Sequence, residues 1–315
     1  MSFDTLLGND RLKQNLAESL AKSHISHFYL ISGPRGSGKR TLAKLLASAI
    51  LCQGRNKPCG VCDACRKLST GNHPDFISVE DPEHKNVAVK IVRRIREDVF
   101  IRPNESDHKI YLFPQDLGVE GQNALLKILE EPPKYGVFLL LTDNPEKILP
   151  TVRSRCTELK LQALPRNVLQ SYLSARFPEA SGEDIAAAAM RSGGFLGQAL
   201  ELLESGGAVP PQTEGFVNAL REKDALLLTE VLVPMEKWKR DALSDILQSW
   251  LELTEEALAE RSGRPAVSPL ARNLSQSRTS PELYAISRDL KKALDYTATN
   301  VSPAAVCGWL SWALR

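Results

Sequence analysis

The sequence predicts an α/β fold: a parallel-sheet nucleotide domain, followed by segments that are helical throughout. Three observations carry this. The glycine-rich loop Gly33-Pro34-Arg35-Gly36-Ser37-Gly38-Lys39-Arg40-Thr41 lies between the apolar run Phe28-Tyr29-Leu30-Ile31 and an apolar-periodic segment, 42–51. Strand, glycine loop and helix are the context of a P-loop. Further apolar runs alternate with helix-patterned segments up to about residue 163, as in a parallel sheet covered on both faces. Beyond that point no strand pattern recurs.

The elements follow in order. Leu12, Leu16 and Leu20 among charges predict an amphipathic helix over 9–22. Strand 28–31, the glycine loop and helix 41–51 come next. Residues 75–79 read as the second strand, and 87–100 as a helix with Val89, Val92, Ile95 and Val99 on one face. Residues 109–113 form the third strand. Helix 122–130 is stopped by Pro132-Pro133, whose rings block helix continuation. Val137-Phe138-Leu139-Leu140-Leu141 reads as a strand buried on both faces, and 157–161 as a shorter fifth strand. Residues 165–204 give short helices broken at Pro178, Gly182 and Gly193-Gly194, and Gly206-Gly207-Ala208-Val209-Pro210-Pro211 reads as a linker. From 214 onward the pattern is helical, with a stripe of Leu243, Ile246, Leu247, Trp250 and Leu251 and a loop at 262–265. The expected domains are 1–163, 164–207 and 208–315.

Glycines let successive backbone N–H groups converge on phosphate oxygens, and the helix N-terminus adds its positive end. Gly33, Gly36, Gly38 and Lys39 are therefore candidate phosphate ligands. The position after the lysine normally carries a hydroxyl for the nucleotide's Mg²⁺. Arg40 stands there, and Thr41 comes one residue late, rotated by roughly 100° on a helix. The loop suits phosphate better than it suits Mg²⁺. The competing reading is a glycine turn that merely joins strand to helix.

Forty Lys+Arg against 38 Asp+Glu leave a formal charge of +2, so any binding to nucleic acid must come from a local patch. No apolar run reaches the ~20 residues that span a bilayer, and the first residues lack the features of a signal peptide. A cytoplasmic protein is expected, in which the six cysteines stay reduced. Four of them are clustered: Cys52, Cys59, Cys62 and Cys65, with two C-x2-C steps. Four thiolates at this spacing fit a closed, structural tetrahedral Zn²⁺ site. An iron–sulfur cluster and free buried thiols remain the alternatives. His73 is adjacent but surplus to a complete set.

Taken together, several motifs resemble the bacterial DNA polymerase III clamp-loader AAA+ family. They are the P-loop, the cysteine insert (52–65), Gly71-Asn72-His73-Pro74-Asp75, Asn123-Ala124-Leu125-Leu126-Lys127-Ile128-Leu129-Glu130-Glu131-Pro132-Pro133, and Ser154-Arg155-Cys156. The resemblance implies an AAA+ domain with a zinc insert, a small helical lid and an all-α collar that joins sister subunits in a hetero-pentameric ring. It implies DNA replication as the setting, with the sliding clamp and primer-template DNA as partners. Within the family, gamma and tau subunits are ATP-hydrolysing motors, and the delta-prime subunit acts largely as a stator.

Motors need an acidic pair at the end of the third strand, where this chain has Pro114-Gln115, with Asp116 one step beyond. A motor's lid arginine corresponds to Gly197 here. The sequence is therefore most similar to delta-prime: a degenerate own ATP site in a component of the polymerase holoenzyme, with no catalysis expected of the chain alone. The alternative is a gamma/tau-like motor that binds and hydrolyses ATP, using Asp116 and Thr41. A recombination or repair AAA+ protein fits the cysteine insert and Ser-Arg-Cys poorly. The resemblance makes Arg155 a finger acting in trans on a neighbour's ATP, and Thr142 a γ-phosphate sensor. A local ion pair of Arg155 with a nearby carboxylate, such as Glu158, is the competing reading. Lys85, Lys90, Arg93, Arg94 and Arg96 either contact DNA phosphates or form a solvated face. Trp309 and Trp312, with Leu310 and Leu314, are expected to pack in the collar.

Overall fold

The computed structural model describes residues 3–84, 86–204, 210–264, 266, 268–299 and 301–314. Linker residues 206–209, Lys85 and Pro265 lie outside them. The chain forms two compact units, 1–205 and 206–315.

The first unit is built on a five-stranded parallel sheet. In chain order its elements are α1 (Asp10–Ala21), β1 (Phe28–Ser32), α2 (Lys39–Leu51), α3 (Asp63–Ser69), β2 (Phe76–Ser78), α4 (Val89–Asp98), β3 (Lys109–Phe113), α5 (Val119–Glu130), β4 (Gly136–Thr142), α6 (Pro150–Arg153) and β5 (Thr157–Lys160). The strands lie in the order β2-β3-β4-β1-β5. β1 is thus flanked by β4, with Phe28 opposite Phe138, and by β5, with Tyr29 opposite Thr157. Alternate residues face opposite sides, as the pleat requires. Tyr29, Ile31, Ile110, Leu112, Leu139 and Leu141 join α2 in one core. Phe28, Leu30, Tyr111, Phe113, Phe138 and Leu140 join α4 and α5 in the other. The rings of Phe28 and Phe138 stack at 4.4 Å, with Tyr111 against Phe138 at 5.1 Å. Short helices α3 and α6 escape the sequence reading. α3 is built around Cys65, and α6 is four residues opened by Pro150.

Three helices follow in the same unit: α7 (Arg166–Arg176), α8 (Gly182–Arg191) and α9 (Leu196–Glu204). Leu169, Leu173, Ile185, Ala189 and Ala199 form their shared core. The second unit consists of α10 (Pro211–Glu222), α11 (Ala225–Met235), α12 (Arg240–Arg261), α13 (Pro269–Ser277), α14 (Ser280–Ala298) and α15 (Pro303–Ala313). The expected stripe Leu243, Ile246, Leu247, Trp250 and Leu251 is buried. Trp250 stacks on Phe216 at 4.1 Å and donates to the Thr213 hydroxyl at 3.0 Å. Leu310 and Leu314 are buried, and Trp309 meets Tyr296 edge-on. Trp312 departs from expectation: it is 69% exposed on α15, turned away from the core. No described helix is long and apolar enough to cross a membrane.

A buried carboxylate ties β2 to the loop ahead of β3. Asp75, fully buried, accepts the backbone N–H groups of Asn104 (2.6 Å), Glu105 (2.8 Å) and Ser106 (2.9 Å). Burial alone would raise its pKa, but these donors outweigh burial and hold the carboxyl below its usual range. The stabilisation is therefore present above the unfolded value of about 3.9 and is lost as pH falls through the depressed folded value. Asp75→Ala should destabilise the chain by about 1–3 kcal/mol at neutral pH. It should also remove this residue's share of the acid sensitivity. Urea unfolding followed by circular dichroism at neutral and acid pH checks both.

Candidate functional site

All five strands run the same way, so the sheet has one carboxyl edge, and open parallel sheets bind ligands outside it. The glycine loop leaves β1 at that edge. Gly36 has a φ of +75° and Gly38, the residue ahead of α2, a φ of +93°, both conformations that glycine adopts freely. The loop opens on a cleft of about 550 Å³. Leu6, Leu7, Leu164, Phe195 and Leu200 give it an apolar wall, and Gly36, Gly38, Lys39, Arg40 and Thr41 a polar one. An apolar pocket beside a phosphate cradle matches the two halves of a nucleotide. The residues present fit the ligand that the loop predicts.

The charges at the edge are already matched within the chain. The Lys39 ammonium donates to the carbonyls of Gly33 (2.7 Å) and Pro34 (2.9 Å) and pairs with the Asp143 carboxylate. Asp143 follows β4 directly, and the sequence reading passed over it. An acid at the end of a buried strand beside a P-loop was the available signal. Arg40 is exposed and points to Glu80 at 3.8 Å. Thr41 is exposed on the cleft wall.

Gln115 stands where the acidic pair would lie and has structural work instead. Its amide oxygen accepts from the Asp81 N–H at 2.7 Å, and its amide nitrogen donates to the carbonyls of Asp81 (3.0 Å) and His84 (3.1 Å). Asp81 in turn accepts from Ala88 N ahead of α4, at 3.1 Å. Asp116 reaches the edge of the site, taking a hydrogen bond from Thr142 Oγ1 (3.2 Å) and lying 3.7 Å from Lys147 Nζ.

Arg155 lies elsewhere. It precedes β5, whose Thr157 pairs with Tyr29 near the start of β1, so it stands at the amino edge of the sheet. The four residues of β5 separate it from its own glycine loop by about 13 Å. Its guanidinium donates to the Thr151 carbonyl (2.9 Å) and pairs with Glu130 at 3.4 Å. The competing reading, a pair with a nearby carboxylate, is met by Glu130 in place of Glu158, which is taken by Arg153 (3.2 Å) and the Ser32 hydroxyl (3.1 Å). Cys156 packs against the core, where burial above all pushes its thiol up to about 11.

The four clustered sulfurs converge. All lie within 4.8 Å of one another, and Cys52 and Cys62 are 3.9 Å apart. Zn–S bonds of 2.3 Å set tetrahedrally would place sulfurs about 3.8 Å apart. Backbone N–H groups of Gly54 and Cys59 point at Cys52 Sγ, each at 3.3 Å. The N–H groups of Val61 and Cys62 lead in drawing the Cys59 thiol down to about 6, favouring the thiolate that a metal needs. These four residues can hold a metal ion. His73 stays out of the set, accepting from Asp75 N at 3.1 Å. Of the basic residues of α4, Lys90, Arg93 and Arg94 are exposed and Arg96 half-buried.

Gln115→Glu should lower stability by about 1–3 kcal/mol, because it sets a carboxylate against two carbonyls in place of an amide donor. It should bring no ATP turnover. Thermal unfolding and a phosphate-release assay on the same preparation check the two halves.

Residues 8–165 match the family described as DNA polymerase III, delta subunit. The tau subunit of DNA polymerase III from Bacillus subtilis is 33% identical over 239 residues, 72% of this chain and 40% of that protein. The gamma subunit from Buchnera aphidicola is 30% identical over 253 residues, 76% of this chain and 69% of that protein. A DNA polymerase III gamma subunit-related protein of Thermotoga maritima, of known structure, aligns over 95% of this chain and all of that one, at 18% identity and a TM-score of 0.42. This chain thus spans well under half the length of the Bacillus tau subunit. The family match covers the stretch that carries the glycine loop, the cysteine cluster and Arg155, and the chain belongs to the clamp-loader AAA+ family of DNA polymerase III.

Proposed function

We propose that this chain is a delta-prime-like subunit of the DNA polymerase III clamp loader, a stator that helps place the sliding clamp on primed DNA without hydrolysing ATP itself. The observation that carries the reading is Gln115: the place of the Mg²⁺-binding and water-polarising carboxylates is held by an amide bonded to the 81–84 loop. Arg40 in place of the Mg²⁺-ligating hydroxyl, and Asp143 on Lys39, point the same way. Phosphate entering this cradle must displace Asp143 from the lysine, so ATP binds weakly here or not at all, through Gly33, Gly36, Gly38, Lys39, Arg40 and Thr41.

Arg155 serves a neighbour's ATP in a hetero-pentameric ring. Its place at the opposite edge of the sheet from its own loop supports a role in trans, and a guanidinium half-open to solvent suits phosphate oxygens. Release from Glu130 and the Thr151 carbonyl frees it for that task. Thr142, bonded to Asp116, is a sensor residue without a γ-phosphate to read. Zinc on Cys52, Cys59, Cys62 and Cys65 joins the end of α2 to α3. Lys90, Arg93 and Arg94 face the phosphates of primer-template DNA, and the second unit is the collar that binds sister subunits.

A motor reading competes, favoured by the names of the relatives, tau and gamma, and by Asp116 at the mouth of the site. Steady-state ATP hydrolysis separates the two. The purified chain with Mg²⁺ and primed DNA should show no turnover above background, and Lys39→Ala should change nothing. Turnover that vanishes in Lys39→Ala would establish the motor.

In a ring reconstituted with motor subunits, Arg155→Ala should slow ATP hydrolysis by on the order of 10³ or more at the one neighbouring site it serves. An unchanged burst at every site would end the finger assignment. Metal analysis should find one zinc per chain, absent in Cys62→Ser, whose melting temperature should fall as it does on chelation of the wild type.

A further inference from the structure

The glycine loop and the first turn of α9 meet backbone to backbone. The Gly197 N–H donates to the Gly36 carbonyl at 2.8 Å. A Cβ on Gly197 would lie 2.6 Å from Gly36 Cα and 2.9 Å from its carbonyl oxygen, and a Cβ on Gly36 would lie 2.6 Å from the Gln198 backbone nitrogen. No side chain larger than hydrogen fits on either partner. Two further ties lie alongside. The Gln198 side-chain amide donates to the Arg35 carbonyl at 3.0 Å, and Arg35 pairs with Glu201 at 3.4 Å. One turn earlier, Leu164 N donates to the Gly194 carbonyl at 2.8 Å, anchoring the approach to α9 at the end of the sheet.

We propose that Gly36 and Gly197 form a backbone latch that holds α9 shut against the glycine loop with no nucleotide needed, so that sheet and three-helix lid move as one body. A lid that closes on a ligand makes its closing contacts through that ligand, and opens when it leaves. Here the loop itself supplies the acceptors, Gly36 O and Arg35 O, and the contact is complete within the chain. Gly197 also stands where the family resemblance puts a nucleotide-touching arginine. The glycine is therefore more than a lost side chain. Its missing Cβ is the condition for the two backbones to touch. The latch goes beyond the stator reading, since it would hold in the isolated chain whether or not Arg155 acts in trans.

Hydrogen–deuterium exchange on the full chain tests it. In the wild type, segments 33–38 and 195–200 should be protected without nucleotide, and 195–200 should not change on adding ATP and Mg²⁺. Gly197→Ala should speed exchange in both segments by on the order of tenfold, the factor expected for about one lost hydrogen bond. Gln198→Ala, which removes a tie without adding a clash, should shift the same segments in the same direction by less. Gly182→Ala, on the same lid where a Cβ meets nothing within 4 Å, should leave them unchanged. Should Gly197→Ala fail to fold, Gln198→Ala decides. The latch is overturned if the folded variants exchange like the wild type, or if ATP with Mg²⁺ slows exchange of 195–200 in the wild type.

Discussion

The parallel register of β1 between β4 and β5 is the constraint on which the rest of the first unit depends. Because all strands point one way, whatever follows a strand collects at one edge and whatever precedes it at the other. The glycine loop, Gln115, Asp116, Thr142 and Asp143 all follow strands and share the carboxyl edge. Arg155 precedes β5, and Glu130 closes the helix ahead of β4, so these two meet at the amino edge. Burial on both faces fixes this arrangement, since a one-residue slip of β4 would turn Phe138 and Leu140 into the opposite core. The separation of loop from arginine is therefore a consequence of topology.

At the carboxyl edge the position after β3 carries an amide where the family resemblance leads one to look for acids. A carboxylate pair so near Lys39 needs Mg²⁺ to balance it. With amide in place of acid, the same location can carry neutral hydrogen bonds, and Gln115 stitches the 81–84 loop to the end of β3. Asp116 and Thr142 bond to each other, and Lys39 is neutralised by Asp143. The side chains of Lys39, Gln115, Asp116 and Thr142 are satisfied within the chain, so an anion must break some of these bonds to enter, whereas Ser37 Oγ in the loop is buried without a partner among the described residues.

Much of this was readable from residues alone. Continuous apolar runs placed β1, β3 and β4 almost to the residue, because strands buried on both faces leave no ambiguity of period. The glycine loop and the cysteine spacing announced their chemistry, since few other patterns bring N–H groups or sulfurs together so closely. Contacts made across long stretches of sequence were not readable. Glu130 as the partner of Arg155 needs α5 and α6 to be adjacent, and nothing local says so. Glu158, the nearer carboxylate in sequence, is drawn instead to Arg153. Asp143 on Lys39 is a pairing over 104 residues. Trp312 illustrates the converse: a tryptophan beside buried leucines reads as core, but the helical period turns it outward.

The glycines carry the last distinction. In a sequence, Gly36 and Gly197 look like separate facts, one a motif residue and the other a missing arginine. In space they are a single contact, and each explains the other. A motif glycine can be required for more than a phosphate cradle, because here a helix rests on it. Such a position would resist substitution as strongly as a catalytic one, though for reasons of packing. Retention of the glycine loop is thus weak support for nucleotide binding in this chain. The residues that distinguish a phosphate cradle from a structural seat are those that meet the ligand through side chains, which makes positions 40, 115 and 197 the ones to weigh here.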